Sequence, residues 1–355
     1  MSASSPIYEL LNRNLEIFDN KDVVIVGDIY DPMILALVKT AKSATIVVDN
    51  FVVCQKMAAM IGQSMDHGIN QTISYKHVKL VFAPIDSVKD QVSHIDSLVV
   101  LLSKNKQQTL KLISALQDKL DENSFIYTAG ANDGGGKSAD TILKAIGHTK
   151  KQDLARKCTL FKAFFEQKLN SFQEPKPLNC KVLDFELTLA QDVQVFSQGK
   201  LDNGTKLLLE SLKDIVPQGK ALDLGCGCGV ISIVLSKLGF KDVTASDVSA
   251  TALKLTSDNA KAYNLDDITV VASDMLSSLD KYDLIAVNPP FHVGLQTTTA
   301  PTISMVMQAR EHLTEGGCMY MVANAHLHYE KYLTEYFDKV EIVNKTTTFI
   351  VYKAS

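Results

Sequence analysis

Lys220-Ala221-Leu222-Asp223-Leu224 runs into Gly225-Cys226-Gly227-Cys228-Gly229 and then into Val230-Ile231-Ser232-Ile233-Val234-Leu235-Ser236-Lys237-Leu238, which stops at Gly239. The short apolar run reads as a buried strand, and the stretch from Val230 has the apolar spacing of a helix. Strand, glycine loop and helix in immediate succession is the context in which a glycine pattern carries information. The glycines permit a tight turn and let a flat ligand reach the backbone where any Cβ would collide. The helix N-terminus then presents free N–H groups to a polar ligand end. A dinucleotide fingerprint would need glycine at position 230, where Val230 stands. The spacing is Asp-x-Gly-x-Gly-x-Gly, with Asp223 closing the strand. Cys226 and Cys228, separated by one residue and lacking a partner pair, make a poor metal site, and no metal is expected.

Further on, Asp242-Val243-Thr244-Ala245-Ser246 forms a second strand ending in Asp247, placed to hydrogen-bond ribose hydroxyls. NAD enzymes put an acid there too, so Asp247 supports a nucleoside without choosing among cofactors. A third strand, Ile268 to Ala272, ends in Ser273-Asp274. The glycine spacing resembles the first motif of class I S-adenosylmethionine methyltransferases. That resemblance implies a cofactor held by Asp223, Gly225, Gly227, Gly229, Asp247 and Asp274, with Asp274 or Met275 meeting the adenine.

The fourth strand, Tyr282 to Val287, leads into Asn288-Pro289-Pro290-Phe291. Two prolines fix the backbone and remove N–H donors. Asn288 offers a side-chain carbonyl oxygen and Pro289 a main-chain one, two acceptors suited to the two hydrogens of an amino group. Catalysis of this kind is mainly positioning. Phe291 supplies a stacking face for a planar base, and Pro290 and His292 complete the expected substrate contacts; His292 either touches the base or shapes the loop. The tetrapeptide resembles the mark of amino methyltransferases acting on adenine N6, cytosine N4, guanine N2 or a glutamine amide.

Outward from this half, 355 residues exceed the usual single domain. The earlier half also alternates strands with helices: Val23-Val24-Ile25-Val26, Ala44 to Val48 and Ser97 to Leu102 read as strands, and Thr109 to Leu120 as a helix. Phe125-Ile126-Tyr127-Thr128-Ala129 resembles Cys318-Met319-Tyr320-Met321-Val322. Lys157-Cys158-Thr159-Leu160-Phe161 resembles Lys345-Thr346-Thr347-Thr348-Phe349, each heading a terminal strand. Together these suggest an internal duplication. Asn170 to Lys181, with Pro175 and Pro177, reads as the linker. The expectation is α/β throughout: two tandem class I methyltransferase-like (Rossmann-like) domains, 1–172 degenerate and 173–355 cofactor-binding and catalytic. The second sheet should have seven strands and end in an antiparallel pair, Val340–Asn344 and Thr347–Tyr352.

Composition sets limits. With 46% hydrophobic and 21% charged residues the chain has ordinary globular proportions. No apolar run is long enough to span a membrane, and the first residues do not look like an export signal. Six scattered cysteines then fit reduced thiols in the cytoplasm. A net charge of −4 denies the chain a global basic footprint, so nucleic-acid contact must come from local Lys/Arg patches.

Val195 to Leu208, Asn288 to Gly294 and Val322-Ala323-Asn324-Ala325, with the two-half layout, resemble the bacterial ribosomal RNA small subunit methyltransferase C family. The resemblance covers the second half closely and the first loosely. It implies S-adenosylmethionine-dependent methylation of guanine N2 in 16S rRNA within the 30S subunit, by a monomer whose N-terminal half helps folding or holds RNA. It implies that Phe196, Asp202, Gly204 and Thr205 cover the cofactor, with Thr205 capping the following helix. Nothing in Asn288–Phe291 separates guanine from adenine, so another amino target, or a non-catalytic RNA-binding protein, are the alternatives.

Two further patterns are set aside. Gly130 to Ser138 looks like a phosphate loop, but Ala131 stands where GxxxxGK[ST] needs glycine. A flexible surface loop touching RNA through Lys137 is expected instead. His326-x-His328 lacks a third metal ligand at useful spacing and reads as a loop pair.

Overall fold

A computed structural model describes residues 5–170, 172–195, 199–289 and 300–355, without the side chains of Ala300 and Pro301. Phe196, Pro290, Phe291 and His292 lie outside the described residues. The chain divides into two compact units, Met1–Glu174 and Pro175–Ser355.

In the first unit the strands are β1 (Asp22–Gly27), β2 (Ser43–Val47), β3 (Gln71–Tyr75), β4 (Val78–Phe82), β5 (Ser97–Leu101), β6 (Phe125–Ala131), β7 (Thr149–Ala155) and β8 (Cys158–Phe164). They form one sheet in the order β3-β4-β2-β1-β5-β6-β8-β7. The helices are α1 (Pro6–Asn12), α2 (Phe51–Met60), α3 (Lys106–Leu116) and α4 (Ala139–Leu143). Every residue of β5 is buried, as expected of a parallel strand covered on both faces. The expected helix from Thr109 to Leu120 begins earlier, at Lys106, because Asn105 accepts from the Gln107 and Gln108 N–H groups and fixes the start.

The second unit opens with a hairpin, β9 (Leu178–Val182) and β10 (Phe185–Leu189). Its main sheet contains β11 (Ala221–Leu224), β12 (Val243–Asp247), β13 (Ile268–Ala272), β14 (Tyr282–Val287), β15 (Leu313–Asn324), β16 (Val340–Lys345) and β17 (Phe349–Ala354). The order is β13-β12-β11-β14-β15-β17-β16. The helices are α5 (Asn203–Glu210), α6 (Val230–Leu238), α7 (Ala250–Ala262), α8 (Ala300–Glu311) and α9 (Glu330–Tyr336). Alternate strand residues serve two cores. Leu284, Ala286, Tyr320 and Val322 pack with α5 and α6 on one face. Ile285, Val287, Met319 and Met321 pack with α8 and α9 on the other.

Leaving aside β3, an antiparallel edge strand, the two sheets have the same strand order. Of the similar segments noted in sequence, the first pair occupies equivalent places, whereas the second is displaced by three residues, since Cys158 to Phe161 lie within a strand and Thr346 to Thr348 precede one. Phe125–Ala129 lies in β6 and Cys318–Val322 in β15, while Cys158 begins β8 and Phe349 begins β17.

Two expectations change in detail. The segment read as a linker is strand from Leu178 onward, because Leu178 and Val182 are buried by the hairpin. The terminal pair shifts to Val340–Lys345 and Phe349–Ala354, since Thr346 accepts from the Thr348 and Phe349 N–H groups and holds that stretch as a turn. Gly130 to Ser138 leaves β6 as a surface turn, with Asp133, Lys137 and Ser138 exposed and Gly136 buried. A Cβ on the buried Gly136 would lie 2.2 Å from the Gly130 carbonyl oxygen.

Candidate functional site

β11 and β14 are parallel neighbours with Leu224 opposite Val287. Gly225 and Asn288 therefore leave the same edge of the sheet side by side. On the other flank Asp223 pairs with Ala245 and Leu224 with Ser246, and Asp247 pairs with Ala272 of β13. Asp247, Ser273 and Asp274 thus share that edge. It is the carboxyl edge of a sheet whose order reverses between β11 and β14, where open α/β sheets bind ligands.

The glycine loop is built by backbone conformation and by braces from α7. Gly225, Gly227 and Gly229 have φ of +82°, +56° and +82°, a region that penalises any side chain. Their surroundings differ. A Cβ at Gly225 would meet nothing within 4 Å, whereas one at Gly229 would lie 2.8 Å from Thr256 Cγ2. Gly229 therefore serves close packing, and Gly225 leaves room above the loop. Thr256 Oγ1 donates to the Gly227 carbonyl at 3.1 Å, and Asn259 Nδ2 to the Cys228 carbonyl at 2.9 Å. Neither brace was foreseen; both are polar residues at buried helix positions, a spacing that sequence reading could have flagged.

Asp223 is fully buried, and its Oδ2 accepts from Ser232 N–H at 2.9 Å and Ser232 Oγ at 2.6 Å. It ties the strand to the first turn of α6, while its Oδ1 is buried without a hydrogen-bond partner among the described residues. Burial raises its pKa to about 7, against the Ser232 hydrogen bonds and with help from the Asp247 charge. Asp247 accepts from Gly227 N–H at 3.1 Å and Ser249 N–H at 3.0 Å, so the same carboxylate orders the loop. Asp274 is exposed, and its carbonyl accepts from Ser277 N–H. The buried hydroxyls of Ser246 and Ser273 have no hydrogen-bond partner among the described residues.

At the strand-four corner, Asn288 Nδ2 donates to Asp202 Oδ2 at 3.0 Å and to Thr205 Oγ1 at 2.8 Å. A carboxylate only accepts, so the amide must present its NH₂ to Asp202. Asn288 Oδ1 is thereby turned away, and it is buried without a hydrogen-bond partner among the described residues. Pro289 follows, also buried. Asp202 also caps α5, its side chain accepting from Thr205 N–H at 2.8 Å. The expected cap by Thr205 is corrected accordingly. Asp202 precedes the helix with extended φ/ψ, the cap position, and Thr205 stands three residues on, where a cap's partner N–H belongs.

Among the described residues no cluster of His, Cys, Asp and Glu is arranged to hold a metal, and Cys226 is buried with its thiol pKa raised by burial. His326 sits in a short 3₁₀ turn and His328 has a φ of 48°. No described helix is long and apolar enough to cross a membrane.

These features have counterparts in known proteins. Residues 8–176 match the family model for the N-terminal methyltransferase small domain, and residues 186–353 the model for the methyltransferase small domain itself. The chain is 32% identical to the ribosomal RNA small subunit methyltransferase C of Aeromonas hydrophila, over 99% of this chain and 98% of that one. It is 30% identical to the same-named protein of Photorhabdus laumondii, over 100% and 99% of the two chains. A solved structure of a T. thermophilus 16S rRNA guanine 1207 N2 methyltransferase, in complex with AdoMet and guanosine, shares the fold with a TM-score of 0.80 at 20% identity, covering 99% of this chain and 91% of that chain. Two matched domain models in tandem, and relatives aligned from end to end, show that the chain belongs to the ribosomal RNA small subunit methyltransferase C family.

Proposed function

We propose that this protein transfers a methyl group from S-adenosylmethionine to the exocyclic N2 amine of a guanine in 16S rRNA, acting as a monomer on the 30S subunit in the cytoplasm. The observation that carries the reading is the buried Asn288 Oδ1, without a hydrogen-bond partner among the described residues and held in one orientation by Asp202 and Thr205 beside the glycine loop.

The residues present fit the cofactor. Gly225 leaves open space above the loop, and Asp247 stands at the end of the second strand where a ribose is gripped. Gly227 and Gly229 shape the loop, Asp223 anchors it to α6, and Asp274, exposed after β13, or Met275 would meet the adenine. Phe196 and Thr205 belong to the segment that would cover the cofactor. When bound, S-adenosylmethionine supplies an electrophilic methyl group on a sulfonium.

The protein's own contribution is orientation. Asn288 Oδ1 and the Pro289 carbonyl accept the two amine hydrogens and turn the nitrogen lone pair toward the glycine loop. No strong base has to act first, because the amine hydrogens become acidic only as the new N–C bond forms. A misaligned acceptor would therefore be felt in turnover. Pro290, Phe291 and His292 complete the base contact in this reading, with Phe291 stacking on the base. Guanine is chosen over adenine or glutamine because the relatives in this family are named for ribosomal RNA and the solved structural match for guanine N2.

The test is to incubate the protein with methyl-labelled S-adenosylmethionine and, separately, 30S subunits, 50S subunits, DNA and release factor. The modified nucleotide is then mapped in rRNA from cells with and without the gene. Label in a 16S guanine N2 is expected; label only in another substrate overturns the target, and no label anywhere overturns the activity.

A further inference from the structure

The edge of the first unit's sheet gathers positive charge over aromatic rings. β6 and β8 pair Phe125 with Phe164 and Tyr127 with Lys162, and β7 places Lys150 opposite Lys162. Paired positions share a face, so these side chains stand together. Ile126, Phe161 and Ala163, on the opposite face, enter the core. Lys162 Nζ lies 3.7 Å from the Phe125 ring centroid, 5.4 Å from Phe164 and 5.7 Å from Tyr127. Lys21 Nζ lies 5.4 Å from the Phe125 ring. The Phe125 and Phe164 rings meet edge to face at 5.1 Å, and His148 lies 6.1 Å from Phe164. Phe164 is 40% exposed, and His148 and Lys150 are exposed.

Lys21, Lys150 and Lys162 have no ion-pair partner among the described residues. Burial, then the Lys21 charge, holds the Lys162 amine below its usual pKa; Glu16 pulls it back up and Lys150 adds to the lowering. Glu16 is the acid closest to the group in effect, and it also accepts from Gln152 Nε2 at 3.2 Å. Lys21 and Lys150 both repel the Lys162 amine, while Lys21 and Lys162 lie over the half-buried Phe125 ring with the exposed Phe164 beside it. They suit a ligand that brings negative charge and flat faces together.

We propose that this face is a docking platform for an unpaired segment of RNA, with bases stacking on Phe164 and His148 and phosphates meeting Lys21, Lys150 and Lys162. Unpaired RNA offers both the charge and the splayed bases that such a surface selects. The patch also answers the charge problem, because a chain of net charge −4 must take RNA through a local cluster. The inference deepens the ribosomal RNA reading and rests on it for the origin of the RNA.

Fluorescein-labelled oligouridylate and the full chain test it by anisotropy across a salt series. Phe164→Ala should weaken binding by about 5- to 150-fold with the salt slope unchanged. Lys150→Glu, at an exposed position where folding is safe, should weaken binding and reduce the slope of log Kd against log salt by about 0.7 or more. Lys56→Glu, exposed on α2, should do neither. Binding that is equal in Phe164→Ala, Lys150→Glu and Lys56→Glu overturns the platform. So does loss of 30S association in the patch variants with oligouridylate binding intact, which would assign the face to a ribosomal protein. Because the assay involves no methyl transfer, a platform that binds RNA in a protein that never methylates 16S rRNA sinks the proposed activity and leaves the platform standing.

Discussion

Asn288 and Asp202, 86 residues apart in sequence, meet through a 3.0 Å hydrogen bond from the amide NH₂ to a carboxylate that also caps α5. One acid thus fixes both the start of a helix and the direction of an amide. The carbonyl end of that amide is buried and has no donor among the described residues.

Removing the amide should separate chemistry from cofactor binding. Asn288→Ala is expected to lower kcat by about 10²–10³, the scale of losing one preorganised hydrogen-bonding group. Calorimetric affinity for S-adenosylmethionine should stay nearly constant. Full turnover in this variant would refute the assigned role.

The positioning role of Asp202 can be told apart from its capping role. Asn is as good a helix cap as Asp, so Asp202→Asn should keep Tm within a degree or two of the parent. The oxygen that caps Thr205 N–H is also the one that accepts from Asn288, so the variant keeps both bonds but loses the charge that strengthens the hold on the amide, and kcat should fall, by up to about tenfold. Asp202→Ala should lose roughly 1 kcal/mol of stability in addition. Equal kcat in Asp202→Asn and the parent would show that the carboxylate does not orient the amide.

The loop glycines should divide by what surrounds them. Ala at Gly225 or Gly229 faces the same left-handed backbone strain, about 1–2 kcal/mol. Gly229→Ala adds the collision with Thr256 and should melt lower by a further amount corresponding to about 1–3 kcal/mol. Gly225→Ala should instead be the one whose loss of cofactor affinity exceeds its loss of stability, and Gly227→Val should impair calorimetric binding too. Identical melting of the two alanine variants would dispose of the packing role given to Gly229.

Asp223 should leave a mark on stability against pH. Its pKa is about 7 in the folded chain against 3.8 as a free side chain, so the folded state holds its proton longer. Stability therefore falls as pH rises from about 4 to about 7, by roughly 4 kcal/mol from this group, with no penalty below the unfolded pKa. Asp223→Asn still offers an acceptor to Ser232 but cannot ionise. Thermal melts of parent and variant across that window should diverge, the parent losing ground toward neutral pH. Parallel curves would mean that Asp223 titrates at its ordinary value in the fold.

Much of this was legible in the chain because it is local. The alternation at Lys220–Leu238 fixes a strand, a turn and a helix within a few residues, and an acceptor-bearing corner at Asn288-Pro289 needs only its own backbone restraints. Shared architecture was suggested by two weakly similar segment pairs, and the common strand order of the two sheets bears it out. Tertiary structure decided what depends on side chains brought together from distant segments. It selected Asp202 over Thr205 as the cap and as the partner of Asn288, gave Gly225 and Gly229 different roles, and gathered Lys21, Phe125, Lys150, Lys162 and Phe164 on one face. Periodicity dictates which way a residue faces within its own element, whereas the neighbour it meets is set by strand register and helix packing, which the whole fold determines.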